Sequence, residues 1–270
     1  MPVTQEQFER FVQERKYLQN VSHRTIEIYR NSWRHWEKFG PDPVAFVAGM
    51  RNRGKSPIGC NIHIRAMNAF FRWCGEKSIP KLKADDKIPP TFALPDIEKL
   101  LRFRPEKRQN RTHLLTLLLL DTGLRISEAL SLKLCDVDYD NMLLSVRGKG
   151  GKNRLVPFSL ELRRRLWKQS TRQPYELLFC SRTGNVLQHR NVLRSVKNLC
   201  VSAGIKPPSR LLHSFRHTFA VNYLRNGGSV FHLQKVLGHS SLEMSRRYAN
   251  LLTEDLQQMQ QRVSLLNRMR

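Results

Sequence analysis

The chain has 270 residues, enough for about two domains at roughly 150 residues each. Its 40% hydrophobic and 26% charged content is that of a folded globular protein with real cores. A formal net charge of +25 and a pI of about 10.6 exceed what solubility requires and point to a polyanionic partner, bound with release of counterions from phosphates. Residues 1–90 hold 16 basic and 9 acidic side chains and the remainder 31 and 13, so the charge is no appended tail: two DNA-touching lobes are expected. Five scattered cysteines (Cys60, Cys74, Cys135, Cys180, Cys200) with no Cys-x-x-Cys pair argue against a zinc site and read as reduced core thiols. The polar start MPVTQEQFERF lacks a signal-peptide core. Apolar runs such as Leu117–Leu120 are far too short to span a bilayer. A cytoplasmic, nucleoid-associated protein with no membrane partner is expected.

In chain order, Thr4 with Gln7 forms a capping box for a helix to about Leu18. Ser22 opens a second helix whose apolar face is Ile26, Tyr29, Trp33, Trp36 and Phe39. Asp42-Pro43 and Ser56-Pro57 each place a cap before a proline in the first turn. The helix from Pro57 carries Ile58, Ile62, Met67, Phe70, Phe71 and Trp73 as its apolar positions and ends at Gly75. Residues 1–77 are therefore a small helical bundle. Its polar faces present Arg51, Arg53, Lys55, His63, Arg65 and Arg72, a group read as DNA contacts. Residues 78–95, with Pro80, Pro89, Pro90 and Pro95, read as a linker.

Beyond the linker the pattern is mixed. Asp96–Leu101 and Arg111–Thr122 are helical, and Ser127 caps a short helix after Gly123-Leu124-Arg125. Met142–Arg147 and Arg154–Phe158 are strands of a hairpin around Gly148-Lys149-Gly150-Gly151-Lys152, and Leu177–Cys180 is a further strand. From Ser181 onward the pattern is mostly helical.

Four pieces carry a possible chemistry: Thr122–Glu128, the Gly148-Lys149-Gly150 hairpin, His213-Ser214-Phe215-Arg216-His217, and Leu237-Gly238-His239-Ser240-Ser241, with Tyr248 nine residues after His239. Attack on a phosphodiester builds charge on the non-bridging oxygens, which planar, permanently charged arginines match bidentately. A tyrosine of ordinary pKa near 10 needs a base or a cationic pocket to attack at neutral pH, and the leaving 5′-oxygen needs a proton, which a lysine can supply. The set covers each task without a metal or cofactor. Taken singly each piece is equally an ordinary turn, cap or core aromatic, and Gly148-Lys149-Gly150 fails the P-loop pattern. Their conjunction in this order is what is specific.

The set resembles the tyrosine recombinase (phage integrase) family, in particular its compact Xer-like members. The resemblance covers nearly the whole chain and is strongest at Asp121–Leu130, Val146–Pro157, Leu212–Ala220 and Val236–Tyr248; Phe70–Cys74 is similar to the end of the family's core-binding domain. It implies Arg125 and Arg216 as phosphate-binding arginines, His213 and His239 as the catalytic histidines, Lys149 as the general acid and Tyr248 as the nucleophile. Lys152 stays a competitor for the lysine role. Glu128 is implied as a supporting acidic residue, and His217 as a supporting neighbour. Lys152, Arg154, Arg246 and Arg247 are further DNA-binding candidates, although Arg246 and Arg247 depart from the small or polar residues more usual before the tyrosine.

The fold expected from the resemblance is mainly α with a small β-sheet. It would be a two-lobed DNA clamp with a helical core-binding domain (1–77), a linker (78–95) and an α+β catalytic domain (96–252). Residues 253–270 read as a helix with Leu256, Met259, Val263 and Leu266 on one stripe, docking onto a neighbouring protomer or packing on its own domain. The implied activity is site-specific recombination of double-stranded DNA through a 3′-phosphotyrosine, by a homotetramer on DNA that is a monomer or dimer when free. The rivals are a type IB topoisomerase-like enzyme and a non-catalytic DNA-binding relative.

Overall fold

The computed structural model describes residues 3–84, 90–148, 151, 153–171, 174–238, 248, 260 and 264. The chain divides into two compact units, Met1–Lys87 and Ile88–Arg270.

The first unit is built from four helices, α1 (Gln5–Tyr17), α2 (His23–Phe39), α3 (Pro43–Asn52) and α4 (Pro57–Cys74). Each starts where a short polar side chain accepts a backbone N–H: Thr4, Ser22, Asp42 and Ser56. Gly75 ends α4 at φ 76°, a left-handed conformation in which it bears no Cβ penalty. The core is aromatic. Phe8 stacks on Trp33 at 4.6 Å, and Phe70 meets both rings edge-on at 5.4 and 5.5 Å. The expectation for α4 needs a correction. Ile58 and Ile62 are exposed, and the buried stripe is Cys60, Ile64, Met67, Phe70 and Phe71, shifted around the helix. The chain past α4 is not yet free either. Asn68 exchanges two hydrogen bonds with the backbone of Ile79 (2.7 and 2.8 Å), and Asn61 exchanges two with Leu82 (2.8 and 2.9 Å). The stretch read as linker is thus pinned along α4 as far as Leu82.

The second unit holds α5 (Leu94–Arg102), α6 (Asn110–Thr122), α7 (Ile126–Ser131), a 3₁₀ turn (Leu134–Asp136), β1 (Val137–Asp138), β2 (Leu143–Arg147), β3 (Asn153–Pro157), α8 (Leu160–Ser170), α9 (His189–Ser202), α10 (Leu211–Arg225) and α11 (Val230–Leu237). Leu94 and Pro95 belong to the first turn of α5, not to a linker. The strands form one antiparallel sheet in the order β1-β2-β3, with Leu144 opposite Val156 and Val146 opposite Arg154. Leu144, Val146 and Val156 face the core. Helix α6 is apolar nearly all round and lies at the centre of the unit, as such a helix must. Its buried His113 and Thr116 are satisfied by the carbonyls of Leu100 (2.7 Å) and His113 (2.6 Å). Phe215 of α10 packs on Phe92 at 4.7 Å, and Thr218 Oγ1 accepts the Phe92 N–H at 2.8 Å.

Three further expectations are corrected. Among the described residues Leu177–Cys180 forms only isolated bridges, Lys133 to Leu177 and Cys180 to Val186. Ser127 lies inside α7, whose cap is Arg125. Cys135 is exposed, whereas Cys60, Cys180 and Cys200 are the buried thiols. Among the described residues no helix is long and apolar enough to cross a membrane.

Candidate active site

The site grows from the turn after α6. Gly123 closes that helix at φ 63°. A Cβ there would lie 2.4 Å from Phe219 and 2.8 Å from Leu237, so only glycine combines this backbone with this packing. The turn delivers Arg125 as the cap of α7, and Glu128, three residues on, reaches back to accept the Arg125 N–H at 2.9 Å. The Glu128 carboxylate also accepts Arg125 Nη1 at 2.9 Å. Arg125 keeps 34% of its side chain exposed and lines a cavity of about 390 Å³ with Ser127, Ser131, Arg147 and Gly148.

Glu128 is 7% exposed and holds a second arginine, accepting Arg154 Nη1 at 3.1 Å and Nη2 at 2.8 Å. Burial works against its charge, but the bonds from Arg154 and Arg125 outweigh it and hold the carboxyl below the ordinary glutamate value. Arg154 Nε donates to the Val236 carbonyl at 2.8 Å, and its side chain is 13% exposed. Gly238 lets it pass, since a Cβ there would sit 3.1 Å from Arg154 Cδ. This corrects the expected DNA contact for Arg154. Its guanidinium is turned inward and bolts β3 to α7 and to the end of α11.

Arg216 on α10 is 5% exposed. Nη1 donates to the Gly123 carbonyl at 2.9 Å and Nη2 to the Leu237 carbonyl at 2.6 Å. One guanidinium thereby joins α10, the Arg125 turn and the end of α11. Burial and the nearby Arg125 lower its pKa to about 10, which leaves it fully charged at neutral pH. His213, one turn earlier, is exposed. Desolvation, then His189, Arg210, Arg216 and Arg125, shift it below the ordinary histidine value.

Tyr248 is 5% exposed and packs in a small apolar cluster with Ala220, Val221, Leu224, Leu233 and Leu237. Its hydroxyl lies 2.7 Å from Nδ1 of His217, the residue after Arg216. Burial first, then His213, Arg216 and Arg210, push the His217 pKa down to about 4, so the ring is neutral at pH 7. The structure thus brings Arg125, Glu128, Arg216 and Tyr248 into one neighbourhood in which Arg216 feels the charges of the other three. Lys149, Lys152, His239, Arg246, Arg247 and nearly all of 253–270 lie outside the described residues.

Two residues were undervalued by sequence reasoning. His217 touches the tyrosine hydroxyl, and Arg147 lines the cavity beside Arg125. Alternation along β2 could have flagged Arg147, which follows the buried Val146. In the first unit Arg51, Arg53, Arg65 and Arg72 are exposed. Lys55 is half-buried with Nζ 2.9 Å from His63 Nε2, and Arg53 lies over the Phe39 ring at 5.0 Å.

Comparison with known proteins bears on the same elements. Residues 92–255 match the model of the phage integrase family. The tyrosine recombinase XerA of Thermococcus kodakarensis is 31% identical over 279 residues, covering 98% of this chain and 96% of that protein. XerA of Pyrococcus furiosus is 32% identical, covering 92% and 91%. In fold, the Tn1549 transposon integrase in complex with transposon right end DNA superposes with a TM-score of 0.77 at 20% identity, covering 96% of this chain and 99% of that one. A family match over most of the second unit, with relatives at this identity along almost the full length, shows that the chain belongs to the phage integrase family of tyrosine recombinases.

Proposed function

We propose that this recombinase cleaves and rejoins double-stranded DNA at a specific site through a 3′-phosphotyrosine on Tyr248. One observation carries the reading. The guanidinium of Arg216 is bonded to the turn that presents Arg125, and the next residue on the same helix holds the Tyr248 hydroxyl. Two fixed cations and a phenol therefore share one neighbourhood, which is what attack on a phosphodiester demands.

In this mechanism Arg125 and Arg216 bind the non-bridging oxygens and stabilise the charge that grows on them. Each such donor contributes on the order of 10²–10³ in rate. Arg216 is preset by its two carbonyl contacts and Arg125 by Glu128, so little reorganisation accompanies the reaction. His213 and His239 add donors to the phosphate, and Lys149 on the β2–β3 hairpin protonates the 5′-oxygen as it leaves. The phosphotyrosine conserves the bond energy, and the 5′-hydroxyl of a partner strand attacks it to rejoin the DNA. Four such exchanges require four active sites, so the working unit on DNA is a homotetramer. Arg51, Arg53, Arg65 and Arg72 bind the duplex from the first unit.

The test uses nicked duplexes drawn from DNA flanking the coding sequence, incubated with the protein in EDTA and run on denaturing gels. The nick releases a short piece and traps the covalent intermediate. An adduct on a restricted set of sequences, lost in Tyr248→Phe, is the expected result. Adduct on every sequence tested would replace this reading with a topoisomerase-like one. Specific binding without adduct would replace it with a non-catalytic one.

A further inference from the structure

The resemblance places His213 in the catalytic set and leaves His217 as a supporting neighbour. The geometry divides the two differently. His213 is exposed at the start of α10, whereas His217 meets the nucleophile oxygen directly, Nδ1 to Oη at 2.7 Å. The ring centroids lie 5.7 Å apart with the planes tilted by 44°, so the rings do not stack and the contact is the hydrogen bond at the imidazole nitrogen.

We propose that His217 is a catalytic residue: it aims the Tyr248 hydroxyl and accepts its proton as the phenolic oxygen attacks the phosphate. The inference rests on Tyr248 being the nucleophile, as proposed above. The step balances. The phenol O–H bond breaks and its proton moves to Nδ1; the O–P bond forms while the P–O5′ bond breaks, and the 5′-oxygen takes a proton from Lys149. On rejoining, the incoming 5′-hydroxyl returns its proton to Lys149, and the departing phenolate recovers its own from His217.

Three features fit this role. The Tyr248 side chain is fixed by its packing in an apolar cluster, and its hydroxyl lies 2.7 Å from the imidazole nitrogen, within reach for direct proton transfer. The ring is neutral in the DNA-free chain because burial and the surrounding His213, Arg216 and Arg210 disfavour a further cation, which leaves a lone pair to receive the proton. A phosphate seated on Arg216 brings negative charge to those same cations and raises the proton affinity of His217 when the substrate arrives. The base is thereby strengthened by the substrate on which it acts.

The experiment measures single-turnover formation of the covalent adduct at saturating DNA, on the nicked substrate and on the same substrate with a bridging 5′-phosphorothiolate. A thiolate leaves without being protonated, so that substrate restores a missing general acid but not a missing general base. His217→Ala is expected to slow adduct formation about 10²-fold on both substrates while DNA affinity and melting temperature stay near wild type. Lys149→Ala is expected to be restored by the phosphorothiolate. His217→Asn keeps a short polar group that cannot take up the proton and stays slow, and it replaces the alanine variant should that one fail to fold. Substituting 3,5-difluorotyrosine for Tyr248 in the His217→Ala chain lowers the phenol pKa and recovers at least tenfold of the lost rate. His217→Ala reacting as fast as wild type, or faster, overturns the inference, as does its restoration by the phosphorothiolate. In either case a Tyr248-dependent wild-type adduct keeps the recombinase reading intact; only an adduct that survives Tyr248→Phe removes both.

Discussion

Replacing Glu128 by glutamine tests whether one carboxylate organises the cationic pocket. Glu128 accepts four hydrogen bonds, one from the Arg125 backbone, one from its guanidinium and two from Arg154, at 2.8–3.1 Å, and is 7% exposed. Removing one partner from a buried ion pair costs about 3–5 kcal/mol, because the remaining charge is left uncompensated. Glutamine keeps the shape and one carbonyl acceptor, which puts the loss near the low end, about 3 kcal/mol. For a unit of this size that lowers the melting temperature by roughly 6–12 °C. The pH dependence gives the sign. The folded-state pKa of Glu128 lies below its ordinary value of 4.5, so the carboxylate's contribution is complete above about pH 4.5 and is lost as pH falls through the folded value. Calorimetry of wild type and Glu128→Gln from pH 7 downward should therefore show the deficit shrink in acid. Adduct formation should fall on the order of 10²-fold at pH 7, as Arg125 loses its brace. A melting temperature within 1 °C of wild type at pH 7, or a deficit equally large at every pH, would refute the reasoning.

Two more predictions concern the scaffold and the DNA. Gly123→Ala forces a left-handed alanine whose Cβ meets Phe219 and Leu237, so chemical denaturation should show a loss of about 2–5 kcal/mol; an unchanged midpoint would mean the turn is not as tight as described. Arg65→Ala and Arg72→Ala, at exposed positions two helical turns apart on α4, should each reduce the slope of log affinity against log salt by about 0.9, read from binding titrations at several salt concentrations. A slope that does not change assigns these two arginines to solvent.

The four helices of the first unit were readable because their start signals are local. Thr4, Ser22, Asp42 and Ser56 each cap a backbone N–H within three residues, and no distant contact is needed to place them. Which face of α4 is buried was not readable from Ile58 and Ile62, since apolar character alone does not orient a helix carrying apolar residues on several sides. Helix α8 escaped notice because only Leu162 and Leu166 are buried, one turn apart, among arginines and lysine. Arg125, Arg216, Glu128 and Tyr248, which the structure brings into one neighbourhood, were legible from motif order. Arg154 was not legible as an internal cation because its partner lies 26 residues away, and nothing in the Lys-Asn-Arg stretch says that this guanidinium points inward. The direct contact of His217 with Tyr248 was not legible for a similar reason: its partner is 31 residues downstream.

The two carbonyls that close α11 are each capped by an arginine, Val236 by Arg154 and Leu237 by Arg216. A helix C-terminus carries partial negative charge, and these guanidinium groups are its counter-ions before any DNA arrives. Arg216, the cation proposed to bind the phosphate, is therefore also a keystone of the resting protein. Selection for a folded chain alone would preserve Arg216 in a descendant that no longer cuts DNA. In a degenerate copy of this protein, an intact arginine would testify to architecture, and only the tyrosine hydroxyl to surviving chemistry.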